Sequence, residues 1–172
     1  MLTDARIRED IDPVEGLSWI TSLRAPAIKQ LAAQGAVSRS LFDETDLAEI
    51  SSEDFPGQRL IVCRNPMLAE ERSRKREELL QATEKELEKV VAATQRNRQR
   101  LQGADEIGLR IGRLINKYKV AKHFDLQITE NSFTFSRKQE QIRDEAALDG
   151  IYIVRTNVPK EEFSAEDTVR AY

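Results

Sequence analysis

From Pro66 to Phe124 the chain contains almost no helix breaker, and this stretch limits the possible folds more than any other. Pro66 suits the first helical position, where its missing N–H would have no partner anyway. Leu80, Thr83, Leu87, Val90, Thr94, Asn97 and Leu101 then recur at alternating intervals of three and four, a narrow heptad-like seam. Gln102-Gly103 breaks the pattern, with Gly103 fit for the left-handed position that follows a helix. A second helix carries Ile107, Ile111, Leu114, Tyr118 and Ala121 along one face. Two such helices joined by a tight turn predict an antiparallel hairpin, seam against seam. The two Thr and the Asn in the seam predict weak, mobile packing unless a partner covers it.

The flanks read differently. Leu2 to Ile11 has helical spacing, and Leu17 to Leu23 alternates as a strand, with Leu17, Trp19, Thr21 and Leu23 on one face. Pro26 opens a helix over Ala27 to Ala36, and Leu47 to Ser51 and Arg59 to Arg64 are further strands around the turn Phe55-Pro56-Gly57. Strand, helix, strand is the rhythm of an α/β sheet. On the other side, Leu126 and Ile128 alternate against Phe133 and Phe135 across Glu130-Asn131-Ser132, a β-hairpin pattern. Arg137 to Ala147 fits either a continued strand or a short helix. Ile151-Tyr152-Ile153-Val154, set off by Asp149-Gly150, reads as a strand buried on both faces. Ser164 then caps a helix, with Asp167 answering at the third position. That helix has barely two turns before Tyr172 and lacks a stripe long enough to dock firmly, which predicts that the chain is a piece of something longer.

Net charge is −3, but its distribution is uneven: residues 66–124 hold 14 Lys/Arg against 9 Asp/Glu, so the middle is basic and the flanks acidic. No apolar stretch is long enough to span a bilayer, and the N-terminus lacks the apolar core of a signal peptide. We therefore expect a cytoplasmic protein without membrane contact. The single cysteine, Cys63, lies in the apolar run Leu60 to Cys63 and reads as a core residue.

Self-sufficient chemistry is hard to find. Asp4, Glu9, Asp10 and Asp12 cluster near the start, and they read as a solvated helix face and its cap rather than a metal site. His123 is the only histidine, which removes Ser-His-Asp triads and His-rich zinc centres; it reads as a capping or solvent-exposed residue near a helix C-terminus. No glycine pattern matches a phosphate loop. We expect no catalytic and no metal-binding residue here. The basic face formed by Arg110, Arg113, Lys117, Lys119 and Lys122 is a candidate for a phosphate backbone, which asks only for positive charge along a rigid rod. The run Arg72 to Glu78 is balanced by its own acids and reads as solvated helix surface.

Four stretches in order carry a resemblance. They are Arg59-Leu-Ile-Val-Cys-Arg-Asn-Pro66, Arg74-Lys-Arg-Glu-Glu-Leu-Leu-Gln-Ala-Thr-Glu-Lys-Glu-Leu87, Leu148-Asp-Gly-Ile-Tyr-Ile-Val-Arg-Thr-Asn157 and Thr168-Val-Arg-Ala-Tyr172. Together they resemble the C-terminal half of a bacterial insertion-sequence transposase of the DDE type, in the IS-four-like lineage, over essentially the whole chain. The resemblance implies an α/β (α+β) chain: a partial RNase H-like fold with an inserted helical hairpin and β-hairpin. It implies a parent protein that binds DNA and, with two Mg²⁺ ions on Asp, Asp and Glu, cleaves and transfers strands. In such proteins the second Asp lies in a Gly-Asp-Arg-Gly stretch upstream of the segment resembling Met1-Leu2-Thr3. The Glu lies one or two turns beyond the Tyr that Tyr172 resembles. No residue of this chain matches the triad, so no cofactor is expected in it. Tyr172 matches the Tyr opening a Tyr-Arg-Glu-Lys type signature, which contacts DNA near the cleaved phosphate.

The expected organisation is 1–65, partial RNase H-like segment and start of the insertion; 66–124, inserted helical hairpin; and 125–172, β-hairpin, core strand and truncated final helix. The expected function is a transposase fragment, inactive alone, whose partners are DNA, a second copy, or the missing transposase segments. With sheet neighbours missing, exposed edges predict aggregation or a partner requirement. The alternative is a non-enzymatic helical-hairpin module that binds DNA or a protein partner.

Overall fold

A computed structural model describes residues 2–42 and 45–172; Met1 of the Met1-Leu2-Thr3 stretch lies outside the described residues. The chain divides into two units, 1–69 with 150–172, and 70–149 between them. The boundaries expected from sequence, 65/66 and 124/125, fall elsewhere, because the β-hairpin shares its core with the helices before it rather than with the strand after it.

The first unit contains α1 (Asp4–Arg6) continuing into a π-helical turn (Ile7–Ile11), β1 (Ile20–Ser22), α2 (Ala25–Ala33) and a 3₁₀ turn (Arg39–Phe42). β2 (Leu47–Ile50), β3 (Arg59–Arg64), the start of α3 (Pro66–Thr94), β6 (Ile151–Thr156) and α6 (Ala165–Ala171) complete it. Its sheet runs β1-β6-β3-β2, and every neighbouring pair is antiparallel. The strand–helix–strand rhythm therefore produces no parallel crossover among the described residues: β1 pairs with β6, and β2 with β3.

β6 is central, with Ile153 opposite Val62 and Val154 opposite both Ser22 and Ile61. A strand with neighbours on both edges and cover on both faces needs a continuous apolar run, and Ile151-Tyr-Ile-Val154 supplies it. One face holds Ile61, Cys63 and Val154, on which Ala165 and Val169 of α6 pack. The closing helix thus docks, against the expectation of an unanchored end. Ser164 Oγ accepts the Asp167 N–H at 3.0 Å, and Thr168 is fully buried. The opposite face holds Leu60, Ile153 and Arg155. Arg155 is buried, pairs with Asp4, and lies 5.6 Å from both the Trp19 and the Phe55 rings. The strand expected over Leu17 to Leu23 shortens to Ile20–Ser22, yet Trp19, Thr21 and Leu23 are buried as the alternation predicts, and Leu17 is exposed.

Gly150 is the glycine this unit cannot replace. Its φ is +76°, its carbonyl accepts the Asn65 N–H at 2.9 Å, and a Cβ there would lie 2.4 Å from the Asn65 carbonyl oxygen. Only glycine permits that approach and that conformation together.

The second unit contains the rest of α3, α4 (Ala104–Tyr118), a 3₁₀ turn (Ala121–His123), β4 (Phe124–Ile128), β5 (Phe133–Arg137) and α5 (Gln139–Ala146). The hairpin register, Leu126 opposite Phe135 and Ile128 opposite Phe133, follows the alternation in the sequence. The stretch that fits strand or helix resolves into α5.

Three details depart from the helical-hairpin expectation. α3 ends at Thr94, so the seam loses Asn97 to solvent, while Leu101 returns to the core from a loop. The link is not a tight turn but residues 95–103, and Gly103 (φ +91°) caps the start of α4 rather than the end of α3. The seam is not left weak: Leu80, Leu87, Val90, Ile107 and Ile111 form one core with Val120, Phe124 and Phe133. The two buried Thr hydroxyls are satisfied within their own helix, Thr83 on the Leu79 carbonyl and Thr94 on the Val91 carbonyl, each at 2.7 Å. The β-hairpin adds hydrophobic cover to the seam beside α4.

Candidate nucleic-acid interface

α4 owes its amphipathicity to Ile107 and Ile111, which are buried, and Leu114 and Tyr118, which pack partly against the same core. Arg110, Arg113 and Lys117 follow one another at i, i+3 and i+7, so they share a flank about a quarter turn from the apolar stripe. All three are exposed, and none forms an ion pair among the described residues. Lys117 Nζ lies 4.9 Å from the centre of the neighbouring Tyr118 ring, a contact that steadies the ammonium without neutralising it.

The helix ends where Lys119 takes the left-handed conformation (φ +55°) and donates its N–H to the Ile115 carbonyl. A non-glycine residue there costs backbone strain, which the burial of the next residue, Val120, offsets. Lys119 itself stays exposed and unpaired among the described residues.

Lys122 behaves differently from the other four. Its Nζ donates to Glu145 Oε1 at 2.5 Å, and Glu145 Oε2 takes the Nε2–H of His123 at 2.5 Å. His123 is therefore not the exposed or capping residue that the sequence suggests. It is 4% exposed, its ring is fixed by Glu145 of α5, and its Nδ1 is buried without a partner. Burial alone would push the Glu145 carboxyl up, but the hydrogen bonds from Lys122 and His123 outweigh it and hold the group below the ordinary carboxylate range.

Further cations stand in the loop before α4. Arg96 and Arg98 are exposed and make no ion pair among the described residues. Arg100 binds two backbone carbonyls, of Thr94 at 2.5 Å and of Asn131 at 2.7 Å. The alternating Arg-x-Arg-x-Arg pattern was open to a sequence reading; the Glu145 clasp, built across a turn and a hairpin, was not. The run Arg72 to Glu78 is internally balanced as expected for Arg74, which pairs with Glu78, whereas Arg76 reaches Asp149 and Glu77 reaches Arg137.

The remaining candidates serve the first unit. Tyr172 donates its hydroxyl to Ser22 Oγ at 2.7 Å, while its ring remains largely exposed. Asp4 pairs with Arg155, Asp10 with Arg6 at 3.4 Å, and Asp12 accepts the Trp19 indole N–H at 3.3 Å. No group of three His, Cys, Asp or Glu side chains among the described residues is arranged to hold a metal ion. Cys63 is buried, and that burial pushes its thiol up, away from reactivity. No helix among the described residues is long and apolar enough to cross a membrane.

No protein-family model matches the chain, and neither does a curated protein or a solved structure.

Proposed function

We propose that this chain is a non-catalytic portion of a cytoplasmic DDE-type insertion-sequence transposase: part of an RNase H-like sheet interrupted by an inserted unit, contributing scaffold and DNA contacts rather than the metal-binding acids. One observation carries the reading. The sheet of the first unit draws its central strand β6 from beyond the intervening unit, as expected of a catalytic sheet with an insertion between its strands. The four resembling stretches lie on β3 with the entry to α3, the middle of α3, β6, and α6.

Among the described residues, no three acids are arranged to hold a metal ion. Near the start, Asp4 pairs with Arg155, Asp10 with Arg6, and Asp12 accepts the Trp19 indole N–H. The test is to read the DNA on either side of the coding frame. Codons for Gly-Asp-Arg-Gly upstream, and for a Glu one or two turns beyond Tyr172, are expected. Their absence on both sides overturns the assignment.

A second reading rests on α4. Its unneutralised flank of Arg110, Arg113 and Lys117, continued by Lys119, favours a module that binds the DNA backbone without chemistry of its own. The same surface would serve a transposase, so the two readings part on cleavage and not on binding.

A further inference from the structure

The 3₁₀ turn after α4 brings a lysine and a buried histidine onto one carboxylate. Glu145 takes Lys122 on one oxygen and His123 on the other, each at 2.5 Å. α5, which carries it, is weakly held otherwise: no residue of α5 is buried, and only Ile142 packs on the core. Asp144, the acid next to Glu145, is exposed and makes no ion pair among the described residues. The nearby Arg76 is engaged by Asp149 and does not compete with Lys122 for Glu145.

We propose that Glu145 is an intrachain stand-in for a phosphate group, and that α5 is a displaceable acidic cover on the Lys122–His123 end of the α4 surface. The proposal rests on the reading of α4 as a DNA-backbone surface. Its physical basis is competition: a carboxylate on a helix with no buried residue gives way to a polyanion whose binding releases counterions, which the intrachain pair does not. Displacement frees Lys122 for one further phosphate contact and opens His123 to solvent. The covered state keeps the surface weakly basic until nucleic acid arrives.

The test uses the full chain and a 20-base-pair DNA duplex of arbitrary sequence, followed by fluorescence anisotropy across a salt series. Glu145→Gln is expected to bind about three- to tenfold more tightly than wild type at low salt, with a salt slope steeper by about 0.9, the value for one added phosphate contact. Asp144→Asn makes the same change in net charge without opening the cover, and its affinity should shift less than about twofold. Adding Lys122→Gln to Glu145→Gln should return affinity to the wild-type level. Hydrogen exchange on wild type should show residues 139–146 losing protection when DNA is added.

Equal effects of Glu145→Gln and Asp144→Asn, or unchanged protection of α5, overturn the cover. The underlying reading fails separately, if Arg110→Glu, Arg113→Glu and Lys117→Glu together leave binding intact. If neither wild type nor Glu145→Gln binds the duplex, both fall.

Discussion

Arg137, the last residue of β5, closes a two-pronged pair with Glu84 of α3, its Nε and Nη2 each 2.6 Å from a carboxylate oxygen. The same guanidinium reaches Glu77, two helical turns earlier, at 2.8 and 3.0 Å. One side chain at the end of the hairpin thereby holds two turns of the long helix, and both acids raise its affinity for the proton.

Replacing Arg137 should therefore loosen the second unit more than an ordinary surface ion pair would. Arg137→Ala is expected to cost about 1–3 kcal/mol, and Arg137→Lys to recover only part of it, since an ammonium cannot match the planar fork. Urea denaturation of both variants checks this; equal stability of wild type and Arg137→Ala counts against it.

Acid should act on the same contacts. Arg137 and Gln81 lower the pKa of Glu77, and Lys122 and His123 more than offset burial at Glu145, so both folded values lie below the ordinary 4.5. Groups depressed in this way contribute stability that is complete above the unfolded value and is lost as pH falls through the folded one. Stability should be level from neutral pH to about 5 on their account and decline below about 4.5, which a series of denaturant midpoints against pH would reveal.

Gly150→Ala should be among the most damaging single changes in the first unit. It adds a Cβ 2.4 Å from the Asn65 carbonyl oxygen at a backbone position with φ of +76°. Strain and clash together predict a loss of about 2–4 kcal/mol. A melting temperature within a degree or two of wild type would contradict the geometry.

Small contacts tie down both ends of α6. Ser164→Ala removes the cap and should cost about 1 kcal/mol, while Tyr172→Phe removes the bond to Ser22 and should cost about 0.5–1.5 kcal/mol. Hydrogen exchange over residues 165–171 should rise in both.

A supercoiled plasmid incubated with the purified chain and Mg²⁺ should remain uncut under the proposed function. Reproducible metal-dependent nicking would mean that acids outside the resemblance gather a metal after all.

What could be read in advance was local. The runs Leu60 to Cys63 and Ile151 to Val154, the Phe133/Phe135 alternation and the Ser164 cap each act over a few residues, and each formed where expected. What could not be read depends on long-range pairing. Nothing near Ile20 announces that it will lie opposite Thr156, and nothing near His123 announces Glu145. α5 resisted assignment because Ile142 is almost its only apolar anchor. The helical seam misled at its end, where the periodic pattern continued into a loop that keeps Leu101 in the core without the helix.

The central position of β6 also sets an order of events during synthesis. β1 and β3 leave the ribosome early, yet the strand that fills the gap between them follows only after Glu70–Asp149 has been translated. At roughly 5–20 residues per second, two bare strand edges stand open for several seconds or more. Within that interval the middle unit has time to fold first, and the nascent sheet is most open to capture by a chaperone or by another unfinished chain.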